Sequence, residues 1–420
     1  MNMARKNGQI VLALLATAAA AWAQTAQLTT LYTFTGGSDG GAPETSLSIG
    51  KGGVLYGSTY GGGSFDHGVV FQVAPPATPG NPWTEEAIYN IKGSGVEDYH
   101  ASGPLAIGGH GVLYGAEILT GDDGKVGSGE LYSLTPPAGA GEAWTYKEVY
   151  DFGEAGYGPA TILMGAGGVF YGSTGVDEAD GLGTIFSIKP PAAAGDSWAE
   201  SALYQFPVGS DGTVSPQIVV GSGGVIFGTL AGSSTSGGVV FSLTPPNSPG
   251  SAWTEKPIYT FSFDSGDAAD PGPLTLGGDG TLYGVTAMGG PGAGCTGGCA
   301  TVFSLTPPSS PGESWTETVL YSFSGPEAGV YPNSVLVGPG GVLYGTGTTF
   351  GGPAPYGMVY SLTPQASPGA PWTFATLYTF SDDSNGAYPN ALTVGADGVL
   401  YGTTAGGTVA TSGTVFALRP

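Results

Sequence analysis

Basic charge is scarce in this 420-residue chain: nine Lys and Arg stand against 32 Asp and Glu, with three His and two Cys. A formal charge of −23 repels phosphate backbones and anionic lipid surfaces, so nucleic acid is not expected as a partner. The same acidic excess serves solubility in exported proteins. Long hydrophobic runs are missing too. After residue 23 no stretch approaches the roughly 18 uninterrupted apolar residues of a membrane helix, and helical periodicity is absent, so membrane insertion is not expected. Cys295 and Cys299 bracket Thr296-Gly297-Gly298 in one loop. In an oxidising compartment a local disulfide is the default for such a pair, and a two-cysteine metal site lacks partners because no histidine lies within about a hundred residues.

The N-terminus points to such a compartment. Arg5 and Lys6 precede an apolar run from Ile10 to Ala21, and Ala21-Trp22-Ala23 is a small-residue cleavage site before Gln24. Residues 1–23 therefore read as a secretory signal peptide and 24–420 as a single exported domain, extracellular, at the cell surface or periplasmic. Cleavage removes Arg5 and Lys6 and moves the formal charge from −23 to about −25.

Glycine (79) and proline (33) together exceed a quarter of the chain, which without periodicity would indicate disorder. Here they recur at fixed offsets. A Leu-Tyr-Gly unit or its variant appears seven times, centred on Tyr56, Tyr114, Tyr171, Phe227, Tyr283, Tyr344 and Tyr401, at spacings of roughly 56 to 61 residues. Each repeat reads as four β-strands. The first is expected to start after a proline (Pro43, Pro104, Pro159, Pro216, Pro273, Pro332, Pro389), and a Gly-rich turn such as Gly278-Asp279-Gly280 feeds the Leu-Tyr-Gly strand. A third strand follows a variable loop, as in Gly68-Val69-Val70-Phe71. A Pro-Pro loop leads to the fourth, which carries Trp83, Trp144, Trp198, Trp253, Trp315 or Trp372 as an expected anchor between neighbouring units. Four antiparallel strands repeated radially describe an all-β, seven-bladed β-propeller of four-stranded antiparallel blades. The segment Leu31–Phe34 resembles a lone fourth strand and Val415–Leu418 a third, so the N-terminal strand is expected to complete the last blade.

The units Gly53 to Thr59 with Gly68 to Phe71, and Gly398 to Thr404 with Gly413 to Phe416, resemble the GloVer-type tandem repeats of bacterial exported proteins. That resemblance implies export and a bacterial surface or extracellular setting, and it brings no established activity.

In a propeller the inter-blade connections share one face with the loops joining second and third strands. Asp39, Glu44, Glu97, Asp98, Glu154, Asp211, Asp264, Asp267, Asp270, Glu327, Asp382 and Asp383 are expected in the connections. Asp66, Glu117, Asp122, Asp123, Asp177, Glu178 and Asp180 are expected in the other loops of that face. Tyr60, Phe65, Tyr99, Tyr157, Tyr331, Phe350, Tyr356 and Tyr388 join them, and aromatics beside acids make sugar-stacking or protein-contact surfaces. Tyr331 and Tyr388 each precede a Pro-Asn pair and have a packing role as their other reading. Asp66, His67, Asp98 and His100 are candidates for a metal or acid–base site where the first two blades meet, against the plainer reading of solvated loop histidines. His110 falls in a turn on the opposite face.

Gly36-Gly37-Ser38-Asp39-Gly40 matches the Gly-x-Ser-x-Gly pattern, but a nucleophile elbow needs a strand-to-helix turn in an α/β sheet. No cofactor is predicted. Ca2+ is compatible with carboxylates and loop carbonyls, with no ligand set to name. The expectation is a monomeric secreted binding or scaffold protein engaging an extracellular polysaccharide or protein through the acidic, aromatic loop face. The alternatives are a polysaccharide lyase or hydrolase with its site at the channel mouth, or a passive surface or matrix component.

Overall fold

The glycine of each Leu-Tyr-Gly unit lies against an aromatic ring of the next strand, which is why the motif tolerates no side chain there. A methyl group on Gly57 would meet Phe71 Cζ at 2.6 Å, and one on Gly402 would meet Phe416 Cζ at 2.5 Å. The ring fills the space, and Leu47 or Leu392, the residue just before Ser48–Ile49 or Thr393–Val394, closes it. This stacking repeats in seven sheets.

The computed structural model describes residues 26–92, 98–120, 126–139, 141–153, 159–174, 183–193, 196–207, 214–232, 237–248, 250–262, 268–295, 298–310, 312–349, 354–365, 371–381, 383–406 and 412–420. Blade one comprises Gly41–Pro43 with Ser48–Ile49, Leu55–Gly61, Val69–Ala74 and Thr84–Asn90. Blade two comprises Asp98–Ile107, Leu113–Thr120, Val126–Thr135 and Thr145–Asp151, and blades three to six repeat the pattern up to Thr373–Thr379. Blade seven takes Thr393–Val394, Leu400–Thr404 and Thr414–Arg419, and its outer strand is Gln27–Thr33. Thr29 faces Ala417 across that antiparallel pair. The protein is thus a seven-bladed β-propeller whose N-terminal strand completes the last blade.

Aromatic contacts join the blades. The phenylalanine ending one fourth strand packs edge-on against the ring on the third strand of the next blade: Phe34 on Phe71, Phe152 on Phe186, Phe206 on Phe241, Phe261 on Phe303, Phe323 on Tyr360 and Phe380 on Phe416, all with centroids 5.0–5.5 Å apart. The tryptophans point the other way. Trp144 packs on Tyr56, Trp198 on Tyr114, Trp315 on Phe227 and Trp372 on Tyr283, each on the preceding blade, while Trp83 of blade one meets Tyr401 of blade seven at 6.4 Å. Every such pair buries one more apolar face between sheets.

Pro159 opens its strand, Pro159–Met164, as expected, but other prolines do not mark strand entry. The first strand of blade two starts at Asp98 and that of blade four at Val214, upstream of Pro104 and Pro216. Both prolines fall where the ladder register shifts, between Ser102 and Ala106 and between Val214 and Ile218, so the missing N–H costs no ladder bond. In blade five the counterpart is Pro271 rather than Pro273: Pro271 faces Thr286, as Pro159 faces Thr174 and Pro43 faces Thr59. Among the described residues no helix is long and apolar enough to cross a membrane.

Candidate binding face

First strands run from the loop face to the Gly-rich turns, and second strands run back. The turns sit opposite the loop face and need the left-handed backbone that glycine supplies, as at Gly52 (φ 74°). His110 occupies that position in blade two at φ 58° and is exposed, on the face expected of it.

Several acids of the loop face hold their own loops. Asp39 accepts hydrogen bonds from the Thr35 backbone N–H (2.8 Å), the Thr35 hydroxyl and the Tyr32 hydroxyl (2.9 Å). Burial pushes its carboxyl up, but these bonds outweigh burial and leave it below the ordinary carboxylate value. Asp383 is held low by the Asn385 backbone N–H and the Ser381 hydroxyl. Asp66 (φ 63°) accepts the Gly62 N–H at 3.2 Å, whereas Asp270 (φ 58°) lies inside the strand Ala269–Leu276 rather than in a connection and accepts the Gly232 N–H of blade four at 3.2 Å. These side chains organise the surface that the aromatic rings then present.

Those rings come from separate blades. Tyr60 lies near the end of the second strand of blade one, Leu55–Gly61, and Phe65 in the loop after it, while Met288 lies near the end of the second strand of blade five, Leu282–Gly290. Tyr331 lies in the strand Val330–Val337, not in a connection, and Tyr388 precedes Pro389 in blade seven. Tyr388 has φ 59°, a region L-residues rarely enter, and its ring stands edge-on to Tyr356 at 6.4 Å. Its backbone N–H donates to the Tyr356 carbonyl at 2.7 Å.

The Pro-Asn pairs have a role that the sequence does not announce. Asn333 Nδ2 donates to the carbonyl of Pro389 in the next blade (2.9 Å), and Asn390 Nδ2 donates to that of Pro43 (2.6 Å). Both stitch neighbouring first strands.

Asp98, Tyr99 and His100 head the first strand of blade two, opposite Thr120, Leu119 and Ile118, rather than lying in a connection. His67 is half-buried in the loop beside Asp66. Tyr157, Phe350, Glu97, Asp122, Asp123, Glu154, Asp177, Glu178, Asp180, Asp211, Asp264, Asp267, Asp382 and the signal peptide lie outside the described residues. Cys295 and Cys299 are joined by a disulfide, with Cα atoms 5.2 Å apart. Among the described residues no group of three or more His, Cys, Asp or Glu side chains is placed to hold a metal ion.

Glu117 corrects the loop assignment most sharply. It lies inside the strand Leu113–Thr120, is 2% exposed, and faces Glu130 on the next strand. Burial, then the Glu130 charge, raises its carboxyl to about 8. Burial also raises Glu130, against the hydrogen bond it accepts from the Tyr146 hydroxyl. The signal available in sequence was departure from the repeat: Thr59, Thr174, Thr286 and Thr404 occupy the Glu117 position elsewhere.

No curated protein sequence matches the chain. Among solved structures it is similar to the PQQ-bound aldose sugar dehydrogenase of Streptomyces coelicolor (15% identity, 80% of this chain and 97% of that one, TM-score 0.45). It is similar also to the apo-form soluble aldose sugar dehydrogenase of Escherichia coli (12%, 77% and 96%, TM-score 0.44). A third is the endosialidase of phage phi92 (14%, 94% and 69%, TM-score 0.47). At these scores the likenesses carry no argument about chemistry. Residues 271–420 match the family model described as the Gloeobacter/Verrucomicrobia repeat, so the chain carries the GloVer-type repeat through its last three blades, in the Leu-Tyr-Gly register of the other four.

Proposed function

We propose that the protein is an exported binding or scaffold module that engages an extracellular polysaccharide or protein through its loop face. One observation carries this reading: the large apolar side chains that stand exposed among the described residues, Tyr60, Phe65, Met288, Tyr331 and Tyr388, all lie on that face. Apolar groups gathered on one side of a protein mark a contact surface more often than a chance distribution. Tyr388 strengthens the point, because a left-handed backbone is kept for a ring that is 40% exposed and gains little from the core. Exposed tyrosines stack on sugar rings and anchor protein contacts. The formal charge of −23 favours a neutral or cationic polymer over a polyanion.

The test is a screen of the mature protein on neutral, cationic and anionic glycans and in pull-downs, with Tyr331→Ala and Tyr388→Ala as loop-face variants. Binding to a neutral or cationic glycan, or to a defined protein, that both variants weaken is the expected result. Uniformly negative screens, or binding indifferent to both variants, would remove the support.

A further inference from the structure

The junction of blades one and two differs from the other blade junctions at several positions that face one another. Where blade two has the cross-strand pair Glu117 and Glu130, blade five has Thr286 and Thr301, blade seven has Thr404 and Thr414, and blade four has Leu230 and Val239. The threonine pairs satisfy themselves, with hydroxyls 2.7 and 2.9 Å apart. The leucine–valine pair has nothing to satisfy. Two carboxylates at the same place cannot satisfy each other: Glu130 accepts the Tyr146 hydroxyl instead, and Glu117 is left to find its own partner.

Glu117 is 2% exposed, and its Oε1 is buried without a hydrogen-bond partner. The fully buried Tyr132 hydroxyl is likewise unpartnered, in a slot where blades one, three, four, five and seven carry phenylalanine. Blade six supplies an internal control. Tyr360 has the same buried, unpartnered hydroxyl there, but Gly347 and Met358 stand in place of the two glutamates. The carboxylate pair is therefore what sets blade two apart. The charges acting on it, those of Glu148 and Asp151 on Glu130, are negative as well. Tyr89 and Tyr146 stack at 4.8 Å over the outer side, and Glu130 and both these rings are only half-buried, so the pair opens toward solvent between the two blades.

Buried carboxylates are retained in folded proteins when a cation or a proton compensates them. Oxygen donors without nitrogen or sulfur select hard cations, and a pair of carboxylates matches the charge of a divalent one. We propose that Glu117 and Glu130 form a divalent-cation site between blades one and two, taking Ca2+ through their carboxylates with the Tyr132 hydroxyl as a further oxygen. This site is independent of the loop-face reading. It would tie the second and third strands of blade two together where the other blades use a threonine pair or apolar packing.

The mature protein, stripped with a chelator, is titrated with CaCl2 by thermal unfolding, and with TbCl3 by emission excited through the nearby tyrosines. A saturable Ca2+-dependent rise in Tm and Tb3+ emission displaced by Ca2+ are expected. Glu117→Gln and Glu130→Gln should each weaken binding at least about tenfold, the loss that removal of even an outer partner of a ligand brings. The double variant Glu117→Thr with Glu130→Thr rebuilds the pair of blades five and seven, and it should fold while losing both responses. A wild-type protein without either response, or titrations unchanged in the double variant, would overturn the site and leave two carboxyls that share a proton.

Discussion

Phe34 packs edge-on against Phe71, ring centroids 5.0 Å apart, and through this contact the first described strand of the chain seals blade seven onto blade one. Both rings are buried, at 2% and 0% exposure. Phe34→Ala should lower unfolding stability by about 3–5 kcal/mol, the range for removing a buried aromatic side chain. Denaturant titration measures it. A loss no larger than that of a surface substitution would show that the seventh blade closes without this segment.

Gly413 and Gly52 both have positive φ, at 104° and 74°, but only one is hemmed in. A methyl group on Gly413 would strike Pro43 Cδ and lie 2.6 Å from the Thr404 carbonyl, whereas nothing lies within 4 Å of one on Gly52. Gly52→Ala should therefore cost about 1 kcal/mol of backbone strain. Gly413→Ala should cost several times that, because backbone and a proline ring must move. Equal costs in chemical denaturation would contradict the close approach between blades seven and one.

The carboxyl of Glu85 in blade one is raised to about 7 by burial first, then by the charges of Asp39 and Glu86. The native state then keeps a proton that the unfolded chain has released. Stability linked to Glu85 is full below its ordinary value of 4.5 and declines as pH rises toward about 7. Glu85→Gln should flatten that part of the profile, read as Tm of the variant against wild type from acidic to neutral pH. A variant that parallels wild type throughout would refute the assignment.

Tyr388→Gly relieves the left-handed backbone at φ 59° while removing an exposed ring. Its stability should stay within about 1 kcal/mol of wild type, since the strain released offsets the flexibility gained. Any glycan or protein binding on the loop face should fall in the same variant. A large destabilisation would mean that the ring packs structurally instead.

What the sequence discloses and what it hides follow from the range of the contacts. The Leu-Tyr-Gly glycine and the phenylalanine it accommodates lie in adjacent strands of one repeat, as with Gly57 and Phe71, so the period itself exposes the blade. Contacts between blades join positions tens of residues apart: Asn333 reaches Pro389 across 56 residues, and no local pattern distinguishes that bond from a turn signal. Sequence puts the prolines at strand starts because proline suits both an entry and a bulge, and only pairing separates the two. Patterning puts Glu117 in a loop, because glutamate inside a buried strand contradicts it. Such contradictions arise where a site has displaced the scaffold's own residue.

Ring closure by the N-terminal strand supports every assignment of loops to faces. The most direct test replaces Thr29 and Ala417, partners across that strand pair, with cysteines and follows their oxidation. The closed propeller predicts a rapid intramolecular disulfide in the native protein and a raised Tm that reductant reverses. Free thiols in the folded monomer, or cross-links only between molecules, would contradict it.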